Sequence, residues 1–493
     1  MSARTLQTGS RILVVGGGTW GLSTAWHLAQ RGYTNIICID RFHYPSPDSA
    51  GYDLNKMART EYAGEKFMQT ISREALGEWR SNPLFHTVFH ETGRLSIASS
   101  PVNYDELKEY HRELLESPRA SEIVWLDNAD EIHKFAPYLT GSFQEGKAVY
   151  NPEGGWVHAR KAMEAVGAEC TRLGVQFIAG PSGTAVELVF DSSKSNVLGV
   201  RCADGSTYLA DRIILATGAW SDLLLDMENQ LIAKCWTLAH IKLTDHLERE
   251  AVKGIPVILD LEKGFFFEPD EEGYVKICNE FPGFTNYRKV VVDGKEKKLS
   301  VPRGHGSHPT DSMPDRSFTE VRELLDILKP EWRNRELLNA KMCWCTDTPD
   351  RNFLISLHPW YGRSLVLATG DSGHGFKMLP TVGRYVADLV EGKEDEWQKL
   401  EHGKELKDKW RWRPDTADKR PGDDSRPGRG GDLSEEEGWE GDAAGTIGGR
   451  EDSHAIGSSS RTRRNQQVRA SLLLTALAIT LSWVAYRGLL WDV

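Results

Sequence analysis

Three glycines near the N-terminus have the spacing that binds a dinucleotide. They are Gly16, Gly18 and Gly21, and they follow an apolar run at 12–15 that predicts a buried strand. The first glycine permits a tight turn, the second lets the backbone approach a pyrophosphate, and the third allows close packing of helix on strand. The start of the helix that follows offers free N–H groups and a positive dipole end to the phosphates.

An acidic residue closes the second predicted strand. Asp40 follows the stretch 35–39 and lies about twenty residues beyond the glycines, where a carboxylate can accept a hydrogen bond from a ribose hydroxyl. Strand, glycine turn, helix, second strand and terminal acid are therefore in register. This favours a dinucleotide site over an ordinary βαβ turn, but the motif alone does not separate FAD from NAD.

Composition narrows the class of protein. The 493 residues allow two domains plus appendages, and the net charge of −11 argues against nucleic acid as a partner. Seven cysteines are scattered without metal-ligand spacing or a disulfide framework, and the N-terminus lacks an apolar signal core. We therefore expect no metal site and an intracellular, reducing compartment.

The predicted elements indicate a mixed α/β fold with two intertwined domains. Residues 9–55, 150–225 and 338–395 read as one Rossmann-like nucleotide-binding domain formed from discontinuous segments. Residues 56–149 and 226–337 show strand-like alternation, which predicts an antiparallel sheet in a second, substrate-facing domain.

The C-terminal part has a different composition. Residues 410–467 are rich in Gly, Arg, Asp, Glu and Ser and predict a disordered linker. Residues 470–486 are uncharged and, at about 17 residues, reach the lower limit for a membrane span. Arginines before this stretch favour a tail anchor with the preceding part of the chain facing the cytosol, on an organelle that the sequence leaves open. An amphipathic surface helix and a wrongly predicted terminal exon are the alternatives.

Four further segments combine glycines, thiols and charged side chains. They are 49–62 (SAGYDLNKMARTEY), 274–284 (YVKICNEFPGF), 341–355 (KMCWCTDTPDRNFLI) and 370–377 (GDSGHGFK). In this order they resemble the FAD-dependent amine oxidases that include monomeric sarcosine oxidase, L-pipecolate oxidase, L-saccharopine oxidase and the fungal fructosyl amino acid oxidases. The resemblance covers about residues 9–395.

The resemblance implies a flavin held by a thioether. It places Cys343 at the flavin 8α-methyl group, since a thiolate is a strong nucleophile. Cys345 is a neighbour that could confuse this assignment, and a buried structural thiol is the alternative reading. The resemblance also implies that Lys276 lies over the flavin face and activates oxygen. Glu280 follows on the same segment and is expected to contact an amine substrate.

The resemblance also implies a clamp for the substrate carboxylate. Arg59 and Lys377 form it, because a guanidinium fork suits bidentate pairing. Lys56 belongs to the same site through its Asp-x-Asn-Lys pattern, although a solvated charged surface would explain such a string without function. His374 is more simply a packed loop histidine than a base. The residues predicted to contact FAD are Gly16, Gly18, Thr19, Trp20, Gly21, Asp40, Ser49, Lys56, Gly218, Cys343, Asp371, Gly373, Gly375, Phe376 and Lys377.

The implied reaction is oxidation of a secondary amine that bears an α-carboxylate. A hydride equivalent passes to the flavin, the imine hydrolyses, and O₂ is reduced to H₂O₂ by a monomeric enzyme. Saccharopine and pipecolate rank slightly ahead of fructosyl amino acids as substrates, and sarcosine is a further candidate. The main alternative is a membrane-anchored flavin amine dehydrogenase that passes electrons to a quinone or protein acceptor. A flavin-binding protein without activity and a nicotinamide-dependent dehydrogenase are further alternatives.

Overall fold

Strands outnumber helices along this chain, for which the computed structural model describes residues 6–62, 64–279, 283–419 and 430–441. The strands described are β1 Ile12–Val15, β2 Ile36–Ile39, β3 Lys56–Arg59, β4 Phe89–His90, β5 Arg94–Ala98, β6 Val124–Leu126, β7 Lys147–Asn151, β8 Gly154–Val157, β9 Gln176–Ile178, β10 Ala185–Phe190, β11 Val197–Cys202, β12 Thr207–Leu209, β13 Arg212–Leu215, β14 Ile232–Lys242, β15 Val257–Asp260, β16 Gly264–Phe266, β17 Tyr274–Asn279, β18 Phe284–Thr285, β19 Tyr287–Val292, β20 Lys295–Ser300, β21 Leu338–Asp347, β22 Leu354–His358, β23 Gly362–Thr369 and β24 Gly431–Asp432. The α-helices described are α1 Thr19–Gln30, α2 Lys66–Ser81, α3 Tyr104–Leu114, α4 Ala129–Phe135, α5 Ala159–Arg172, α6 Ser221–Leu224, α7 His246–Ala251, α8 Asp315–Leu328, α9 Val382–Glu391 and α10 Gly403–Trp410.

A six-stranded sheet carries the glycine turn. Its order is β22-β23-β13-β1-β2-β9, and every pairing except β22 with β23 is parallel. Alternation sends Ile12 and Val14 into a core shared with α1, α5 and α9, while Leu13 and Val15 pack against the antiparallel sheet β10-β11-β12. The sheet is therefore covered on both faces, as parallel strands require.

A ten-stranded, mostly antiparallel sheet forms the second large layer. Its order is β24-β18-β14-β17-β16-β15-β5-β7-β6, and β21 pairs with β14. Ile258, Phe266 and Ile277 pack with α8 in one core on one side of this sheet. Alternate residues of the same strands, such as Phe265 and Lys276, line a cavity on the other side.

A small sheet, β3-β8-β4, presents charged side chains to the same cavity. Lys56 and Arg59 occupy the two ends of β3, opposite Val157 and Gly154. The Gly154 backbone passes so close to β3 that a Cβ there would lie 2.3 Å from the carbonyl oxygen of Ala58. This close approach fixes the strand from which both cations project.

The mixed α/β class is confirmed, but one predicted boundary is wrong. We placed 338–395 wholly in the nucleotide-binding segments. Strand β21 instead pairs with β14 from Ile232↔Asp347 to His240↔Leu338, so it belongs to the mostly antiparallel sheet. The apolar character of its sequence does not reveal which partner it pairs with, because long-range pairing is set by tertiary packing.

The predicted linker at 410–467 needs a second correction. Trp410, Arg413, Leu433 and Trp439 are all buried. Residues 430–441, which we call the C-terminal strap, add β24 to the large sheet beside β18. Few aliphatic residues are needed here, because two large apolar side chains per segment suffice to fasten it.

No helix among the described residues is long and apolar enough to cross a membrane. The predicted tail at 470–486 lies outside those residues, as do 420–429 and 442–467 of the predicted linker.

Replacing Trp439 by alanine should lower the free energy of unfolding. Its indole shares an apolar cluster with Trp344 and Leu433, and its Nε1–H donates to the Leu433 carbonyl at 2.8 Å. Removing a buried indole costs about 3–5 kcal/mol, which urea unfolding can measure. Trp360→Ala is the matched control, because Trp360 is 64% exposed and should change stability little. Equal effects of the two substitutions would show that the strap does not stabilise the fold.

Candidate functional site

The glycine turn is shaped for a close-lying ligand. Gly16 has φ +104°, and a Cβ there would lie 2.4 Å from the carbonyl oxygen of Ala216. A Cβ on Gly21 would lie 1.8 Å from the Gly16 carbonyl oxygen, so Gly21 serves helix packing rather than ligand contact. Gly18 precedes α1 without a side-chain cap, which leaves the first N–H groups of the helix available to phosphates.

Asp40 lies at the end of β2, as predicted. Its Oδ2 accepts a hydrogen bond from the Gly17 N–H at 2.8 Å, and its Oδ1 accepts one from the Phe42 N–H at 2.9 Å. Burial raises the pKa of this carboxyl, although both backbone donors oppose the rise. The Ser46 side chain is a third partner, which leaves the carboxylate acceptor capacity for a ribose hydroxyl.

One large cavity, of about 1150 Å³, joins this turn to the predicted reactive side chains. It runs between the parallel sheet and the large antiparallel sheet. The predicted residues that line it are Gly16, Gly18, Thr19, Trp20, Asp40, Ser49, Lys56, Arg59, Gly218, Lys276, Cys343, Asp371, Gly373, Gly375, Phe376 and Lys377. Gly21 lies behind the wall, and Glu280 falls outside the described residues.

The cavity fits a flavin dinucleotide at both ends. Gly18 leaves only 3.1 Å between a hypothetical Cβ and Ser49 Oγ, and a Cβ on Gly51 would lie 2.4 Å from Thr19 Oγ1. The pyrophosphate end is thus kept clear by missing side chains. At the other end, Trp236 and the thiol of Cys343 line the wall. The residues present therefore suit a flat, partly apolar ring system attached to a dinucleotide.

Cys343 lies beside a lysine. Lys56 Nζ lies 3.5 Å from Cys343 Sγ, and the thiol also contacts the carbonyl oxygen of Ala50 at 3.4 Å. The Lys56 ammonium group is thus within reach of the sulfur atom. Cys345, two residues along β21, is buried and lines the same cavity. Cys343, the residue that the motif singled out, thus lies within 3.5 Å of an ammonium group.

A buried carboxylate links this lysine to Lys276. Asp53 Oδ2 accepts hydrogen bonds from Lys276 Nζ at 2.6 Å and forms an ion pair with Lys56 Nζ at 2.9 Å. Lys276 Nζ also donates to the backbone carbonyl of Asn55 at 2.8 Å. Burial alone would raise the pKa of Asp53, but the ammonium groups of Lys276, Lys56 and Lys341 hold it well below its usual range. Sequence reasoning quoted Asp53 within the motif but assigned it no role.

Lys377 ends a directed chain of hydrogen bonds. His374 Nε2 faces the Arg351 carbonyl oxygen at 2.9 Å and must carry the proton, because a carbonyl only accepts. His374 Nδ1 therefore accepts from the Tyr62 hydroxyl at 3.0 Å, while Lys377 Nζ donates to the Tyr62 oxygen and to the His374 carbonyl. Burial and the nearby cations hold the pKa of His374 well below 6.5, so its ring stays neutral.

Arg59 faces the same tyrosine. Its guanidinium carbon lies 4.1 Å from the centre of the Tyr62 ring, and Lys377 Nζ lies 4.9 Å from it. Burial alone would raise the pKa of the Tyr62 phenol, but these two cations lower it. Burial also lowers the pKa of Lys377, and Arg59 adds to that effect. Two cations held around one ring form a preorganised site for a carboxylate. Tyr62 closed a quoted motif, yet its spacing alone gave no sign of this role.

A dinucleotide turn that shares one cavity with a thiol and several fixed cations is the arrangement of a redox enzyme. The chain belongs to the FAD dependent oxidoreductase (DAO) family, whose model matches residues 11–389. The resemblance drawn from the motifs is thereby confirmed.

Individual relatives agree with this assignment. The chain is 35% identical to an L-saccharopine oxidase of Schizosaccharomyces pombe, over 82% of this chain and 93% of the relative. It is 26% identical to a monomeric sarcosine oxidase of a Bacillus species, over 77% and 91%. The solved fructosyl peptide oxidase of E. terrenum superposes with a TM-score of 0.81 at 39% identity, covering 89% of this chain and 99% of that one.

Substituting Asp53 by asparagine should destabilise the fold. The change leaves Lys276 and Lys56 close together without their counter-charge, which costs about 3–5 kcal/mol for a buried pair. Asp105→Asn is the control, because that carboxylate is 99% exposed beside Lys108. Urea unfolding of each variant measures the difference.

The same variant should change how stability depends on pH. The folded pKa of Asp53 is depressed, so its contribution is complete above an unfolded pKa of about 3.9 and is lost as pH falls through the folded value. Between about pH 4 and pH 2 the native protein should therefore lose more stability than the Asp53→Asn variant. Parallel acid curves for the two proteins would contradict a depressed pKa.

Proposed function

We propose that this protein is an FAD-dependent oxidase of N-substituted α-amino acids and that Cys343 binds the flavin covalently. The observation that carries the proposal is that one cavity brings together the glycine turn, Cys343 beside Lys56, Lys276 on its carboxylate, and the Arg59 and Lys377 pair. Membership of the family implies the cofactor, and the position of each residue in the cavity supports the role proposed for it.

Arg59 and Lys377 receive the substrate carboxylate in this proposal. Burial desolvates Lys377, and Tyr62 holds both cations in place, so little reorganisation is needed when the anion arrives. The lowered pKa of Lys377 follows from burial among cations, and a bound carboxylate would raise it again. Fixing this end orients the amine and its neighbouring C–H bond.

Bound FAD would accept a hydride equivalent from the carbon beside the amine nitrogen and pass both electrons to O₂. The substrate then loses one C–H and one N–H hydrogen to become an imine, and water converts the imine to a carbonyl compound and a primary amine. Oxygen takes up two electrons and two protons and leaves as H₂O₂. Lys276 keeps a fixed positive charge in the cavity, which stabilises the negative charge that oxygen acquires.

The named relatives support two substrate classes. One is called an L-saccharopine oxidase, and the solved structures are called fructosyl peptide oxidases. We place saccharopine and pipecolate ahead of fructosyl amino acids, because paired Arg59 and Lys377 favour a compact anionic end. Glu280, expected to contact the amine, remains a prediction.

Acid precipitation should leave the yellow flavin in the protein pellet. In Cys343→Ala the colour should move to the supernatant, because no thioether remains. Cys345→Ala is the matched control and should keep its colour in the pellet, because the proposal places the attachment at Cys343, whose thiol lies 3.5 Å from Lys56 Nζ. Retention by Cys343→Ala, or release by Cys345→Ala alone, would move the attachment to the other cysteine. Absorbance of both fractions decides the point.

Peroxide should form when the enzyme meets saccharopine or pipecolate in air. A peroxidase-coupled assay over saccharopine, pipecolate, sarcosine and fructosyl-lysine ranks the substrates.

Lys276→Met should slow reoxidation by O₂ while leaving anaerobic bleaching of the flavin by substrate nearly unchanged, because the ammonium acts on oxygen. Bleaching without peroxide, relieved by a quinone, would instead favour the amine dehydrogenase that passes electrons to an acceptor.

A further inference from the structure

Arg94 is a buried guanidinium that the proposed reaction leaves unused. It begins β5, and the next residue, Leu95, points into the core shared with α8. Alternation therefore turns Arg94 to the opposite side of the sheet, where it lines the cavity. Only 2% of the residue is exposed. Arginine is rarely buried so deeply unless its charge is paired.

Its described partners do not use the whole guanidinium. Nε lies 3.2 Å from Glu61 Oε1, and Nη1 contacts the sulfur of Met57 at 3.8 Å, which is a weak acceptor. Neither Nε nor Nη2 makes a hydrogen bond within the described ranges. Buried donors without acceptors are costly, so a ligand oxygen that reaches this guanidinium from the cavity would be favoured.

The pairing carboxylate is itself held firmly. Glu61 Oε1 accepts a hydrogen bond from Asn151 Nδ2 at 2.7 Å, and Oε2 accepts one from the Thr60 N–H at 3.1 Å. Glu61 therefore fixes the Arg94 guanidinium from one side and cannot turn to satisfy Nη2. The donors of Arg94 are preorganised rather than mobile.

Arg94 lies next to the proposed carboxylate clamp. Glu61 contacts both arginines, because Arg59 Nη1 donates to its backbone carbonyl. The ring of Tyr110 lies 5.6 Å from the Arg94 guanidinium carbon and lines the same cavity. Burial raises the pKa of the Tyr110 phenol, while the charges of Arg59 and Arg94 both oppose that rise, which shows that both arginines lie near this ring.

We propose that Arg94 is a second anion-binding position, and that the preferred substrate is an N-substituted amino acid with a second carboxylate. The inference rests on the proposed function, in which Arg59 and Lys377 hold the first carboxylate. A carboxylate gains more from a desolvated guanidinium than a hydroxyl does, because charge-assisted hydrogen bonds are about twice as strong. Arg94 thus favours saccharopine, which has further carboxylates, over pipecolate, which has one.

The test uses a charge-balanced pair of variants of the flavin-loaded enzyme. Arg94→Met with Glu61→Gln removes the guanidinium without leaving a buried carboxylate unpaired. Glu61→Gln alone keeps Arg94 and removes its counter-charge. Flavin content and thermal unfolding check that each variant is folded. Glutarate and valerate, which differ by one carboxylate, are titrated while the flavin absorbance is followed.

The wild-type protein should bind glutarate about tenfold or more tightly than valerate, as expected for a hydrogen bond to a charged group. The double variant should lose this preference, and Glu61→Gln should increase it. A purely structural ion pair would move both variants in the same direction. Equal affinity for the two acids in the wild-type protein would overturn the inference.

Turnover gives an independent readout. In the double variant, KM for saccharopine should rise about tenfold or more while the kinetic constants for pipecolate stay near those of the wild type. An equal loss with both substrates would contradict a second subsite. If no N-substituted amino acid yields peroxide but the preference for glutarate persists, then the proposed oxidase function fails and the anion position stands.

Discussion

The cavity depends on the two ion pairs that the buried carboxylate of Asp53 makes with lysines. This carboxylate receives Lys276 from the large antiparallel sheet and Lys56 from the small sheet, so elements distant in sequence meet at one oxygen. Buried ammonium groups need a counter-charge, and the shared carboxylate supplies it to both lysines. The thiol of Cys343 gains its neighbouring charge through the same arrangement, because the lysine beside it is anchored from behind.

The two ends of the cavity use burial in opposite ways. At the glycine turn, absent side chains make room, and the backbone supplies the polar groups. At the other end, Arg59 and Lys377 are held around the buried ring of Tyr62. The first end needs only a short local sequence. The second end needs strand β3 and the loop after β23 to be brought together by the whole fold.

The sequence predicted best what is encoded locally. Gly16, Gly18 and Asp40 lie in one βαβ unit, so their spacing was enough to place them. The charged and thiol residues were found through family motifs, and they line one cavity. Lys377 is only 3% exposed, so it is not an ordinary surface lysine. The roles of Asp53 and Arg94 were missed, because they depend on side chains that lie hundreds of positions or several strands away.

Two predictions were wrong: the disorder of the C-terminal strap and the sheet to which β21 belongs. A segment rich in Gly and Glu looked unable to fold, yet Leu433 and Trp439 fasten it to an existing surface. Strand β21 begins the third predicted nucleotide-binding segment but pairs with β14. Both errors have one physical cause. Composition averaged over a stretch of sequence does not show the few large contacts that its side chains make with distant strands.

The strap gives this enzyme an order of assembly. Cys343 on β21 lines the cavity, and its neighbour Trp344 lines it too and packs in the cluster that contains Trp439. A ribosome makes the cysteine well before it makes that last tryptophan. The wall behind the cysteine is therefore finished only after synthesis has passed the strap. The cofactor site is therefore completed late, because Trp439 lies near the end of the described sequence.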